Sequence, residues 1–279
     1  MKVVAVAGAF DVKGSDYRFL IDQIHWHGVE TLSIDFGVLA DPPFIPEISS
    51  TEVARAGGGN LDELRARRDK TAAMRTMTDG LRSVVSRLQR EGRIDGACGM
   101  GGTGGTAVLS AAFRELPLGF PKLVVSTVAG TDVSAYVGAR DITMMPSIAD
   151  IAGINRISRK IYTNAAAAIS GMVAAGGACE ESDRPLVATS MFGNTTACVD
   201  RARGVLEAHG FEVLTFHATG LGGRLMQSLA SDRLVCALLD LTTTELADEV
   251  CGGVFTAGRD RVRLGAHSPI PVVLAPGCV

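Results

Sequence analysis

The feature that most constrains the fold is a repeated pattern of short apolar segments, each ending at a turn of small residues and followed by a helical pattern. Val3–Ala7 is the first such segment, and Lys122–Thr127 is another. Uninterrupted apolar runs of this length are typical of parallel strands that are buried on both faces. Strands that alternate with helices connect by right-handed crossovers into a parallel sheet. The repeated pattern therefore predicts an α/β protein with parallel, helix-flanked sheets.

The pattern recurs several times in the first half of the chain and again in the second half, with a polar segment between the halves. That segment, GGACEESDRP (176–185), contains Gly, Pro and several charges, as domain boundaries often do. A chain of 279 residues is long enough to bury two cores. We therefore expect one α/β domain over residues 1–180 and a second over residues 181–279. Because only APGCV follows the last predicted strand, Ile270–Leu274, we expect the second domain to be truncated at its C-terminus.

Composition excludes several classes of protein. The 27 basic residues are balanced by 30 acidic ones, giving a net charge of −3, so general nucleic-acid binding is not expected. None of the six cysteines forms a C-x-x-C pair, which indicates buried free thiols and a reducing cytoplasm. The uncharged segment 161–179 is mostly Ala and Gly, so a closely packed helix is a better interpretation than a membrane span.

The turns after the predicted strands are the places to look for a ligand, because open parallel sheets bind ligands at the carboxyl ends of their strands. Nearly all of these turns are small, hydroxylated or glycine-rich, and several lead directly into helices. Such turns aim backbone N–H groups at one point, which suits a phosphate or carboxylate. The turns are GAFDVKG (8–14), GMGGTGGT (99–106), STVAGTD (126–132), MFGNTT (191–196), HATGLGG (217–223) and LTTTE (241–245).

The turn GMGGTGGT is the most specific of these. Its glycines would allow the backbone to approach an anion closely, and its threonines would add hydroxyl donors. A tight strand-to-helix turn without a ligand is the alternative. The turn is neither a Walker A loop nor a dinucleotide fingerprint, because the required spacings are missing. The predicted anion-binding residues of this turn are Gly101, Gly102, Thr103, Gly104, Gly105 and Thr106.

Two turns of the second half are weaker signals, because helix caps and ordinary turns explain each of them separately. Taken together with GMGGTGGT, they predict a cleft between the domains with anion donors on both walls. The residues concerned are Asn194, Thr195 and Thr196 in the first turn, and Thr219, Gly220, Gly222 and Gly223 in the second.

Asp11 and Lys13 follow the first strand in a predicted loop, Gly8–Gly14, after which Ser15 would cap a helix. Lys13 would neutralise a phosphate, and Asp11 would hold a hydrated Mg²⁺ ion. A solvated pair of loop charges is the alternative. Ser126 and Thr127, after the fourth strand, would line the same site.

His217 and Asp240 are the candidate catalytic residues. His217 ends a strand before ATGLGG, where it is either a general base or a polar strand terminus. Asp240 ends the apolar strand Leu234–Leu239, where it is either a metal or ribose contact or, slightly favoured, a helix cap. The sequence contains no convincing spacing for a Ser/His/Asp triad or for a set of metal ligands.

Taken together, VAVAGAFDVKG, GMGGTGGT, SIADIAGIN, MFGNTTACV, FHATGLGG and DLTTTELADEV resemble the Tm-one-like ATP-binding family, an uncharacterised protein family that includes an inhibitory domain of a plant virus-resistance protein. The resemblance extends over essentially the whole chain. It implies two Rossmann-like domains, a site for ATP and Mg²⁺, and a homodimer.

Three positions depart from the family pattern. Ala9 and Val12 stand where relatives usually have Thr, so the first turn has lost two hydroxyl groups. Gln227 stands where relatives usually have an acidic residue, and relatives continue well beyond Val279.

Three functions remain open from the sequence. The first is nucleotide binding, with ATP–Mg²⁺ at the carboxyl edge of the sheets near the interdomain cleft. The second is an enzyme that acts on a small phosphorylated or carboxylated metabolite in that cleft, with His217, Asp240 and Lys13 as acid/base groups. The third is a binding or inhibitory module without turnover.

Overall fold

The computed structural model describes residues 1–176, 183–261 and 270–279. The chain divides into two compact units, Met1–Cys179 and Glu180–Val279. Each unit contains a parallel sheet flanked by helices, which confirms the predicted α/β class with two Rossmann-like domains.

The first unit contains a five-stranded sheet in the order β2-β1-β3-β4-β5, with every pair parallel. Its strands are β1 (Val3–Gly8), β2 (Glu30–Asp35), β3 (Gly96–Gly101), β4 (Lys122–Ser126) and β5 (Thr143–Pro146). Its helices are α1 (Phe10–Trp26), α2 (Ser50–Ala56), α3 (Leu61–Arg67), α4 (Lys70–Arg90), α5 (Thr103–Phe113), α6 (Ser134–Val137) and α7 (Arg156–Ala175).

The second unit contains a four-stranded parallel sheet in the order β7-β6-β8-β9. Its strands are β6 (Leu186–Met191), β7 (Glu212–His217), β8 (Ala237–Asp240) and β9 (Val272–Leu274). Its helices are α8 (Thr196–Ala208), α9 (Leu221–Ser231) and α10 (Thr244–Cys251), and a 3-10 turn, Gly193–Thr195, precedes α8.

The core of the first unit lies on both faces of its sheet. Successive residues of a strand point to opposite faces, so Ala5 and Ala7 pack with α2, α4 and α5, whereas Val4 and Val6 pack with α1 and α7. This two-sided burial explains why β1 is apolar throughout.

Among the helices of the described residues, none combines the length and the apolar composition that a membrane-spanning helix needs.

Several helix boundaries differ from expectation. The predicted loop 8–14 is wrong, because α1 begins at Phe10 and only Lys13 has non-helical geometry within it. The Pro- and Gly-rich composition of the segment 36–59 predicts irregular structure, but the segment contains α2, which is capped at Ser49. A glycine inside a helical pattern favours a break between two helices, but Gly80 lies within the continuous helix α4. A Cβ there would lie 2.0 Å from the Val53 carbonyl oxygen, so the glycine allows α2 to approach α4.

The expectation of buried thiols holds for Cys98. Burial raises the pKa of its thiol to about 12. It is wrong for Cys198, Cys236 and Cys251, which are exposed free thiols.

A buried tyrosine joins α1 to the sheet where β1 and β3 separate. Beyond Gly8 the chain turns into α1, so the N–H and C=O of Met100 have no strand partner on that side. The Tyr17 hydroxyl accepts a hydrogen bond from Met100 N at 2.6 Å and donates one to Met100 O. Gly8 makes room for the ring, since a Cβ there would lie 2.1 Å from Tyr17 Cζ.

We expect the substitution Tyr17→Phe to lower the free energy of unfolding by about 2 kcal/mol, because it leaves two buried backbone groups of Met100 without a partner. Urea unfolding followed by circular dichroism measures the change. Tyr136→Phe is the matched control, because Tyr136 is only partly buried, and its effect should stay within about 0.5 kcal/mol. Equal effects of the two substitutions would contradict this role of Tyr17.

Candidate functional site

The strand order of the first unit places a crevice next to β1. In the sheet, β2 and β3 lie on opposite sides of β1. The connection after β1 leads to β2 on one side, whereas the connection after β3 leads to β4 on the other side, so the two connections leave in opposite directions. Such a switch point is the usual ligand site of an open parallel sheet. A cavity of about 850 Å³ lies there. Its lining comes from residues that follow β1 (9–13), β2 (36–39) and β3 (101–105), and from α3, α4 and α5.

The glycine-rich turn forms one wall of this cavity. Gly102 is the extended N-cap of α5, and the first bond of that helix runs from Thr106 N to Gly102 O at 2.8 Å. The N–H groups of the first turn, at Thr103 and Gly104, therefore have no partner within the helix. A Cβ on Gly104 would meet only the Met74 side chain, at 3.6 Å. Packing thus does not require a glycine at position 104. Because Gly104 has no side chain, the backbone of the turn is open to the cavity at this position.

Gly101 has a different reason to be glycine. A Cβ there would lie 2.8 Å from backbone atoms of Gly105 and Thr106, so only glycine allows the strand to turn into α5.

The hydroxyl groups predicted to join this wall are partly used elsewhere. Thr106 Oγ1 bonds to Ser126 Oγ at 2.7 Å and to Gly101 O at 3.2 Å, and both side chains are fully buried. Thr106 and Ser126 therefore stabilise the turn from behind. Thr127 is exposed next to Gly102 but does not line the cavity, whereas Thr103 does.

Asp11 and Lys13 line the cavity from the first turns of α1. Asp11 Oδ2 accepts hydrogen bonds from Leu39 N at 2.7 Å and Ala40 N at 3.4 Å. Asp11 Oδ1 is buried and has no hydrogen-bond partner. Lys13 Nζ donates to Ile151 O.

A second carboxylate, Asp35, lies nearby at the end of β2. Its Oδ1 accepts hydrogen bonds from Phe10 N at 3.0 Å and Gly37 N at 2.9 Å, and the residue is fully buried. Burial raises the pKa of Asp35, and the charge of Asp11 raises it further, while the two backbone donors oppose the shift. Asp35 thus organises the start of α1 and the turn that faces Asp11.

Sequence reasoning missed the cationic end of the cavity. Arg68 and Lys70, at the junction of α3 and α4, line it together with Asp69, which caps α4 by accepting from Ala72 N at 3.0 Å. The signal in the sequence was the basic run RARRDK (65–70), which resembles an ordinary solvated helix face. Only the fold shows that the N-termini of α4 and α5 open into the same cavity.

The rest of the lining is mostly apolar. Met74, Met77 and Met100 contribute flexible, polarisable side chains, as methionines do at sites that contact aromatic groups. Such a surface could not be recognised from the sequence, because Met74 and Met77 belong to α4 and Met100 belongs to β3.

In the second unit, the turn HATGLGG binds an anion from its own chain. The N–H groups of Gly220 and Gly223 donate to Glu245 Oε1 at 2.7 and 2.9 Å, and Glu245 is fully buried. Gly222 is required because a Cβ there would lie 2.0 Å from His217 O. Thr219 is exposed. The two amides proposed for an external anion are thus occupied by Glu245.

Asp240 belongs to the same buried network. Its carboxylate accepts two hydrogen bonds from Arg261, at 2.6 and 2.7 Å, and one from Ser190 Oγ at 2.6 Å. Arg261 Nε donates to Glu245 Oε2 at 3.0 Å. The expectation that Asp240 caps a helix is wrong, because α10 begins after Thr243 and the Asp240 carboxylate is held by Arg261 and Ser190.

The remaining candidates of the second unit are dispersed. Thr195 Oγ1 bonds to Thr242 Oγ1 at 2.7 Å, and Thr196 Oγ1 donates to Phe192 O and Gly193 O, so both hydroxyls stabilise the turn. Asn194 is exposed. His217 is exposed too, with its ring 5.1 Å from that of Phe192. Because β6 lies between β7 and β8, the sheet does not place His217 beside Asp240.

Comparison with known proteins gives consistent matches over the whole chain. Residues 2–177 match the N-terminal domain of the uncharacterised protein family UPF0261, and residues 184–279 match its C-terminal domain. A UPF0261 protein of Clostridium tetani is 43% identical over 278 residues, covering 100% of this chain and 69% of that protein. The ToMV resistance protein Tm-1(GCR237) of Solanum lycopersicum is 41% identical over 250 residues, covering 86% of this chain and 32% of that protein.

Among solved structures, the UDP-GlcNAc 2-epimerase of Methanocaldococcus jannaschii in complex with UDP-GlcNAc and UDP aligns with 99% of this chain and 89% of its own, at 10% identity and a TM-score of 0.30. A similarity this low has no bearing on function.

Proposed function

The chain belongs to the uncharacterised protein family UPF0261, as its resemblance to the Tm-one-like family predicted, and we propose that its first unit binds a nucleotide, ATP with Mg²⁺, in the cavity beside β1. The observation that carries the proposal is the convergence on one cavity of the N-terminus of α5, which no side chain caps, a glycine-rich turn and an apolar wall. An anionic group with an apolar extension matches these features.

The phosphates would lie against the N-terminus of α5, where no side chain caps the first amides. Free N–H groups at a helix N-terminus favour anions through their hydrogen bonds and through the helix dipole. Thr103 adds a hydroxyl group beside the amides, and Lys13, which lines the same cavity, adds a positive charge.

The base and ribose would lie against the methionines. Met74, Met77 and Met100 offer thioether sulfurs to an aromatic ring, and a few hundred cubic ångströms of apolar cavity are typical of small-molecule sites. Only 5% of the residues are aromatic, so few side chains are available to stack on a base. The methionine wall would provide the contact with the base instead.

Mg²⁺ fits this arrangement through Asp11. Mg²⁺ in nucleotide sites is usually held by one or two carboxylates together with phosphates and water. The buried, unpartnered Asp11 Oδ1 is an oxygen of the required kind in the cavity wall. In the described ranges no group of three His, Cys, Asp or Glu residues could hold a metal, so the ion would depend on the nucleotide for its other ligands. Mg²⁺ would supply charge neutralisation of the phosphates.

Binding is proposed here without an assigned reaction. The acid/base groups named for an enzyme, His217 and Asp240, belong to the second unit, where Asp240 is held by Arg261 and Ser190. A homodimer and a cytoplasmic location stay predictions.

Asp11→Asn tests the proposal. We expect wild-type protein to bind ATP roughly tenfold more tightly with Mg²⁺ than without it, and Asp11→Asn to lose most of that difference, because the amide is a poor ligand for Mg²⁺. The amide oxygen still accepts from Leu39 N and Ala40 N, so the fold is kept. Isothermal titration calorimetry with and without Mg²⁺ gives both affinities.

Asp69→Asn is the matched control, because Asp69 also lines the cavity and asparagine also caps helices. It should retain the dependence on Mg²⁺. Loss of the dependence in this control but not in Asp11→Asn would contradict the assignment of Asp11. Absence of ATP binding in all three proteins would contradict the proposed function.

A further inference from the structure

The charged side chains that line the cavity differ in whether they have partners within the protein. Four cations and two carboxylates line it. The four cations are Lys13, Arg65, Arg68 and Lys70, and the carboxylates are Asp11 and Asp69.

Internal contacts occupy both carboxylates and two of the cations. Asp11 accepts from the backbone of Leu39 and Ala40, and Asp69 caps α4. Arg65 donates to Val38 O at 3.2 Å and to Ala40 O at 2.8 Å, and it pairs with Asp41. Lys13 donates to Ile151 O.

Arg68 and Lys70 differ from the other two cations. Both side chains are exposed, and within the described part of the chain neither makes a hydrogen bond or an ion pair. Two cations without a partner at the rim of a cavity attract ligands of high negative charge.

The backbone at Arg68 gives a second indication. Arg68 has φ 51° and ψ 26°, the left-handed conformation that favours Gly and Asn and that costs an arginine free energy. A conformation of this kind, once observed, is a reason to ask what the side chain does there. Here it directs the chain from α3 into α4 with Arg68 on the cavity lining.

The position of α4 brings these cations within reach of the glycine-rich turn. Met74 Cε lies 3.6 Å from the Cβ position of Gly104, in the first turn of α5. Lys70 lies one helical turn before Met74 on α4, about 6 Å along the axis. An extended lysine or arginine side chain spans that distance.

We propose that Arg68 and Lys70 bind the outer phosphates of the nucleotide and make the site selective for nucleoside di- and triphosphates over monophosphates. The inference rests on the proposed function and adds a specificity to it. The amides of Thr103 and Gly104 receive the first phosphate, and the cations at the α3–α4 junction receive those beyond it. A monophosphate reaches only the first group of contacts.

The test uses the double variant Arg68→Gly, Lys70→Ala in the full chain. Glycine removes the guanidinium and also relieves the left-handed strain, so the variant is expected to stay folded. We expect its affinity for ATP to fall by about 10- to 100-fold, as the loss of charge-assisted contacts to phosphate implies, and its affinity for AMP to change by less than about threefold. Calorimetric titrations of ATP, ADP and AMP measure both values.

Arg67→Ala, Arg75→Ala is the matched control with the same loss of charge. Arg67 is exposed and paired with Glu63, and Arg75 lies on the exposed side of α4; neither lines the cavity. The control should keep wild-type affinities for all three nucleotides.

Two results would overturn the inference: equal losses for ATP and AMP in the double variant, or no loss for either. A wild-type protein that binds AMP and ATP equally would also overturn it while leaving nucleotide binding intact. A wild-type protein that binds neither contradicts the proposed function itself.

Discussion

Replacing Arg261 with Met is expected to lower the stability of the second unit by about 3–5 kcal/mol. Arg261 pairs with Asp240 through two hydrogen bonds and with Glu245 through a third, and all three side chains are almost completely buried. Removing the guanidinium leaves two buried carboxylates without their cationic partner. Glu245 also holds the amides of Gly220 and Gly223, so the turn before α9 is expected to loosen.

Amide hydrogen exchange measures this effect for the second unit separately from the first. The matched control is Arg203→Met, because Arg203 belongs to the same unit but pairs with Glu207 on the surface, with both side chains about half exposed. Surface pairs of this kind contribute about 0–1 kcal/mol. If Arg261→Met destabilises the unit no more than Arg203→Met does, the result would contradict the claim that the buried ion pairs of Arg261 with Asp240 and Glu245 stabilise the second unit.

The substitution Gly104→Asp is expected to weaken ATP binding by about 100-fold or more, through direct repulsion of the phosphates. Position 104 lies in the first turn of α5, where a carboxylate interacts favourably with the helix dipole. A Cβ fits there, since its nearest neighbour would be Met74 Cε at 3.6 Å. The variant should therefore be as stable as wild type or slightly more stable, while its binding is lost.

Gly104→Ala separates charge from size, because it adds a methyl group at the same place. Its affinity for ATP should fall by less than about tenfold. Calorimetry measures binding, and thermal unfolding measures stability. Unchanged binding in Gly104→Asp would contradict the assignment of the α5 N-terminus as the phosphate site, and an unfolded variant would contradict the description of position 104 as open.

The parallel strands could be predicted because they are buried on both faces, which leaves an uninterrupted apolar run in the sequence. The helix α2 was missed although its start carries a visible signal, Ser49 followed by Glu52, which form a capping box in the structure. The prolines in the preceding segment, 41–46, favour irregular structure, and for that reason the sequence did not predict a helix here. The strand β5 is short and only half buried, so it leaves no apolar run.

The candidate site was predictable in the first unit and much less so in the second, for one physical reason. Both GMGGTGGT and HATGLGG present backbone amides at the start of a helix, and the sequence does not show which amides are already taken. In the second unit the carboxylate of Glu245 occupies them, and Arg261 balances its charge. These partners are 16 or more residues away in the chain. Arg68 and Lys70 were missed because only packing brings the N-terminus of α4 to the glycine-rich turn.

The most direct test of the central claim, that the cavity of the first unit binds nucleotide, is amide hydrogen exchange of the nucleotide-free protein with and without saturating ATP and Mg²⁺. We expect exchange to slow at residues 9–13, 68–74 and 101–105, the segments that contribute to the cavity lining, and to stay unchanged at 193–196 and 219–223 of the second unit. Protection confined to the second unit, or no change anywhere, would contradict the claim.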